Sequence, residues 1–222
     1  MDFEFSMLDR TNIVLISGAM SNSLDRFRTI KIEGIPLLLT KTKQVKQMSE
    51  KEVIRAIREI CRIFKDKEEL LFPVLRQMKQ SINSKESNLN MKSIKKYLGK
   101  NGTEPVVVFW NGSTDKEIME RLNLGNYKML ELTSYDVFNN HIFFLQLKNM
   151  KTKQIIGQEE IGYADKNGRL LKLVETHELI CNRDHAITYA HDPCTDVILT
   201  KCLFDKVIRV CNRKNININD YV

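Results

Sequence analysis

The chain predicts a mixed α/β domain, and three observations carry that prediction. Two apolar runs rich in β-branched residues, 12–20 and 106–110, read as buried strands. Segments with helical spacing of apolar residues stand between and after them. The second run is followed at once by a turn and a helix start, the strand–turn–helix order of an α/β layer. With 222 residues, the chain is long enough for one well-buried domain and short for two, so a single domain over 1–222 is expected.

The elements follow in order. Asp2, Phe3 and Glu4 fit a strand in which both carboxylates share one face, because residues two apart do so. The run 12–20 is the first buried strand. Residues 27–33 alternate and read as a half-exposed strand, and 35–39 would extend the sheet. Ser49 with Glu52 three residues on forms a capping box, opening a helix with Val53, Ile54, Ile57, Ile60, Cys61 and Phe64 at helical spacing. A second, basic helix is expected over 72–82. The segment 83–103 is polar and basic, and is expected to be mobile with one short helix. Pro105 leads into the strand 106–110, residues 111–114 turn, and a helix starts at Asp115 with Ser113 or Thr114 as its cap. A strand at 128–132 and a hairpin from 143–148 and 153–160 come next. Helices are expected over 170–180 and 195–211, the latter amphipathic with Val197, Ile198, Cys202, Leu203, Val207 and Ile208 near one face.

Composition narrows the function classes. Lys and Arg number 35 against 28 Asp and Glu, a net charge of +7, which favours an anionic partner, nucleic acid above all. No apolar run reaches the roughly 18 residues a membrane span needs. The first residues are acidic where a secretory signal would be basic. An intracellular protein, cytoplasmic or nuclear, is therefore expected, with no membrane partner. Five cysteines, an odd number, argue against a disulfide framework.

The carboxylates offer the chemistry. A pair of divalent cations needs several carboxylate oxygens brought together from separate elements. Asp2 and Glu4 are one source. Asp115, on the first turn of a helix after a buried strand, is a second. His191 and Asp196 are the third, with a loop histidine placed to serve as a general base and the aspartate at the start of the last helix.

Taken in order, Asp2-Phe3-Glu4, then Asn111-Gly112-Ser113-Thr114-Asp115 after a strand, then His191-Asp192-Pro193-Cys194-Thr195-Asp196 opening a helix resembles the DEDDh family of 3′–5′ exonucleases. The resemblance spans nearly the whole chain and is most specific in its third part. It implies a ribonuclease-H-like fold, a mixed sheet flanked by helices. It also implies that Asp2, Glu4, Asp115 and Asp196 hold two Mg²⁺ or Mn²⁺ ions, that His191 takes the proton from the attacking water, and that the substrate is a single-stranded RNA or DNA end. Two positions depart from the pattern: only Met1 precedes Asp2, and Trp110 stands where many relatives carry a histidine. The alternative is a non-catalytic nucleic-acid-binding module of the same fold, similar to Maelstrom domains.

A second metal is also expected. His177, Cys181 and His185 are spaced i, i+4, i+8, and Cys194 follows nine residues later, a set that would make a tetrahedral structural zinc site. This partly resembles the zinc sites of the Maelstrom domain and the arenavirus nucleoprotein exonuclease domain. Basic stretches at 41–46, 92–100 and 148–153 would follow a phosphate backbone, and Trp110 and Tyr189 would stack on a terminal base.

Overall fold

Asp2–Met7 (β1) and Asn12–Ser21 (β2) form an antiparallel pair in the computed structural model, which describes residues 1–22, 29–85, 87–99, 104–137, 141–166, 168–181 and 191–222. The far edge of the long β2 is shared by two short strands. Thr29–Ile32 (β3) pairs with its C-terminal half and Leu37–Thr40 (β4) with its N-terminal half. Val45–Gln47 (β5) then hairpins onto β4, completing a five-stranded antiparallel sheet. Strand β5 was not expected: its three residues are largely exposed and include Lys46.

Helices Glu50–Ile63 (α1) and Glu68–Asn83 (α2) follow. The capping box at α1 is present: the Glu52 carboxylate accepts from both the Ser49 N–H (2.9 Å) and its hydroxyl (2.8 Å). Helix α2 starts one turn before the expected Phe72. Glu68 and Glu69 favour that earlier start because acidic side chains stabilise the positive end of a helix. In the segment 83–103, Met91–Leu98 (α3) is the expected short helix. It is seated by Leu89, Ile94 and Leu98, all buried, while Lys92, Lys95 and Lys96 are exposed.

The second sheet begins with Val106–Trp110 (β6), followed by helix Ser113–Arg121 (α4) and strands Lys128–Asp136 (β7), Ile142–Asn149 (β8) and Ile155–Tyr163 (β9). Strands β6 and β7 are parallel, and β8 and β9 continue antiparallel. Helices Leu173–Ile180 (α5) and Pro193–Arg213 (α6) complete the main chain of elements, with a short 3₁₀ turn at Ile218–Tyr221.

The mixed α/β class stands, but the strands form two hydrogen-bonded sheets where one was expected. They meet where β1 lies beside β6. The Met1 ammonium donates to the Val108 carbonyl (3.0 Å), while the next outward N–H, that of Phe3, goes to the Asp115 carboxylate (3.1 Å). A side chain thus takes the donor that would have continued a strand ladder.

Alternation along the strands explains why the apolar runs are continuous. Ile13 and Leu15 of β2 face a core shared with Val107, Phe109, α3 and α4. Val14 and Ile16 face α1 and α2 on the other side. Val106, Val108 and Trp110 face a third core beneath α5 and α6. Both faces of each central strand are buried, the condition under which strands read as unbroken hydrophobic runs. Helix α6 packs against β1, β2 and β3 as well as β8 and β9, so it bridges the two sheets. Among the described residues, no helix is long and apolar enough to cross a membrane.

Candidate active site: a carboxylate cluster where the sheets meet

Three elements end at the junction of the sheets, and each delivers an acid. Phe3 turns one way into the core and is 3% exposed, which leaves Asp2 and Glu4 on the opposite face of β1. Gly18 of β2 makes room for this strand: a Cβ there would lie 2.9 Å from the Asp2 carbonyl oxygen and 2.9 Å from the Phe3 ring.

Asp115 arrives through the tight turn between β6 and α4. Asn111 takes a left-handed backbone (φ 45°), and its amide accepts from the Thr133 hydroxyl at 2.6 Å. Gly112 is required by close approach, since a Cβ would sit 2.3 Å from Phe109 Cβ. Arg121, 4% exposed, fixes the other end of α4 to the first sheet by donating to the carbonyls of Thr11 (2.7 Å) and Leu39 (3.0 Å).

Asp196 lies in the first turn of α6. That helix is capped by Asp192, whose carboxylate accepts from the Thr195 N–H and hydroxyl, both at 2.9 Å. Pro193 at the first helical position is the sequence signal for this cap. Asp192 also acts electrostatically on Asp2, Glu4 and Asp196, a role that the sequence reading did not assign. His191 precedes it with a left-handed backbone (φ 61°). Its carbonyl accepts from Gln77 Nε2 (3.0 Å), and Gln77 Oε1 accepts from the Ser17 hydroxyl (3.2 Å). A buried relay from β2 through α2 therefore holds the histidine's backbone.

The candidate donor atoms of Glu4, His191 and Asp196 all lie within 4.8 Å of one another. Asp2 and Asp115 belong to no such set of three among the described residues; they act on Glu4 electrostatically. Burial pushes Asp2 well above the usual carboxylate range, with Asp115 and Asp196 adding to it. Burial, then Asp2, Asp196 and Asp115, push Glu4 up to about 10. Burial raises Asp115 to about 6, against the Phe3 N–H and the Met1 ammonium, which favour its charged form. Burial and Asp192 raise Asp196 to about 7. Burial and the nearby Lys172 hold His191 below its ordinary value.

Such a set fits hard divalent cations on two grounds. Its donors are carboxylate oxygens from separate elements, the ligands that Mg²⁺ and Mn²⁺ prefer. Asp2 Oδ2 is buried with no hydrogen-bond partner among the described residues, a carboxylate oxygen left for a cation.

The residues expected to bind zinc are not all brought together. His177 of α5 and Cys181 at its C-cap are adjacent, but their third neighbour is Cys202 of α6. Cys194 stands eight residues earlier on that helix, about 12 Å away at the helical rise, and its neighbours are Asp192, Lys31 and Glu33. The expected set is therefore corrected at Cys194, while His185 lies outside the described residues. Trp110 is half-buried against the core beneath α5 and α6, and Tyr189 lies outside the described residues.

No protein-family model, curated protein or solved structure matches this chain.

Proposed function

We propose that this protein is a metal-dependent 3′–5′ exonuclease of ribonuclease-H-like architecture, acting on single-stranded RNA or DNA ends. The observation that carries the reading is the convergence of acids from β1, α4 and α6 beside a loop histidine, at positions far apart in sequence. Layers of helices on both faces of the strands agree with the architecture. The net charge of +7 agrees with a polyanionic substrate.

Asp2, Glu4, Asp115 and Asp196 would hold two Mg²⁺ or Mn²⁺ ions. When bound, such ions supply charge stabilisation to the attacking and leaving oxygens of an in-line displacement at phosphorus. The chain's own residues do the rest. His191, with its pKa below the ordinary value, is neutral at physiological pH and able to accept a proton from the attacking water. Gln77 fixes the backbone from which that imidazole projects. Asp192 caps α6 and so sets the position of Asp196.

Degradation of 5′-labelled single-stranded RNA and DNA, with Mn²⁺, Mg²⁺ or EDTA, tests the reading. A ladder of shortened products is expected that requires metal and falls by at least about 100-fold in kcat with Asp196→Asn. Intact substrate in every lane, with binding still seen by gel shift, would replace this reading with the non-catalytic nucleic-acid-binding module.

A further inference from the structure

His177, Cys181 and Cys202 form a second cluster, of different chemistry and on different faces. Their donor atoms lie within 4.8 Å of one another, and the two sulfurs are 3.0 Å apart. All three residues are buried, at 4%, 9% and 7% exposure. We infer that these three residues bind a zinc ion that joins the C-terminal end of α5 to the middle of α6. This inference is independent of the nuclease reading, because none of the three belongs to the carboxylate cluster.

Three arguments support it. The first is helical spacing. His177 and Cys181 are four residues apart, which sets both on one face of α5, turned toward Cys202 of the neighbouring helix. The second is geometry. Ligands of a tetrahedral zinc at about 2.0–2.3 Å stand roughly 3.5–3.8 Å apart, so small side-chain rotations bring this set to bonding distance. The sulfur separation exceeds the roughly 2.05 Å of a disulfide. The third is charge. Two thiolates and a neutral imidazole cancel the charge of a divalent ion, so the complex is neutral and suits a buried position. Soft sulfur donors select zinc over the Mg²⁺ and Mn²⁺ that oxygen clusters prefer, so the two clusters would hold different metals at once. The three ligands among the described residues leave one coordination position of a tetrahedral zinc for a further donor.

Zinc content and cobalt substitution of the full chain test the inference without reference to activity. The wild-type protein is expected to purify with one equivalent of zinc by elemental analysis. Replacement by Co²⁺ is expected to give a thiolate-to-cobalt band in the near ultraviolet. Cys202→Ser is expected to weaken zinc binding by at least roughly 100-fold, more than the loss of an outer-shell partner costs, while Cys194→Ser leaves it unchanged. His177→Cys provides a second reading that does not depend on Cys202→Ser keeping its fold: it keeps three ligands and is expected to intensify the cobalt–thiolate band. Three results would overturn the inference: a wild-type chain with neither zinc nor a cobalt–thiolate band, zinc loss with Cys194→Ser but not with Cys202→Ser, or a mass lower by two hydrogens from a Cys181–Cys202 disulfide.

Discussion

Glu4 is acted on by Asp2, Asp115, Asp192 and Asp196, and this concentration of acids governs how the metal-free protein responds to pH. Each raised pKa means that the folded chain binds a proton the unfolded chain releases at ordinary carboxylate values. Stability is therefore full below about pH 4 and declines as pH rises through about 6 for Asp115, about 7 for Asp196 and about 10 for Glu4. His191 acts in the opposite sense. Its lowered pKa adds stability above the ordinary histidine value that is lost as pH falls; burial lowers the Met1 ammonium in the same sense, but these two stand against four raised carboxyls. Melting of the metal-free protein is expected to drop by at least about 5 °C between pH 5 and pH 8. Glu4→Gln should flatten that slope, and Mn²⁺ should restore stability most at the higher pH. A melting temperature that rises over this interval would contradict the electrostatic account. At this scale the placement of Asp2 and Glu4 on a strand and of Asp115 and Asp196 in first helical turns was legible in the sequence, because strand spacing and helix starts can be read locally. Asp192 was in view but unassigned, since two of the three acids it acts on, Asp2 and Glu4, stand on a strand far away in sequence.

Elements deliver these acids through a few close contacts. Gly112 lets β6 turn into α4 over Phe109, and the Ser17–Gln77–His191 relay carries the position of β2 through α2 to the histidine loop. Gln77→Met keeps the volume of this 1%-exposed side chain and removes its donor and acceptor. It is expected to lower kcat about 10- to 100-fold through misplacement of His191, with little change in KM. Single-turnover kinetics beside circular dichroism would separate this from unfolding, and an unchanged kcat would show that the relay does not position the base. Most elements were legible because their apolar periodicity is strong. The strand β5 was not, having three residues and little burial. The early start of α2 was masked by Pro73, which reads as a helix beginning but lies inside the helix. The neighbour of His177 and Cys181 was misread for a related reason: sequence proximity favoured Cys194, whereas the packing of α5 on α6 presents Cys202.

At the scale of the whole molecule, α6 is the element that makes one site from two sheets. It packs across both, is capped by Asp192, and carries Asp196 in its first turn and Cys202 near its middle. The strand–turn–helix unit and the mixed class were visible in the sequence. The division into two sheets was not, because it depends on where the Phe3 N–H finds its acceptor 112 residues away. Crystals grown with Mn²⁺ and measured at the manganese absorption edge would test the central claim most directly. The account predicts two anomalous peaks roughly 3.5–4 Å apart, held by Asp2, Glu4, Asp115 and Asp196. Saturating Mn²⁺ with no peak among these four carboxylates would contradict it.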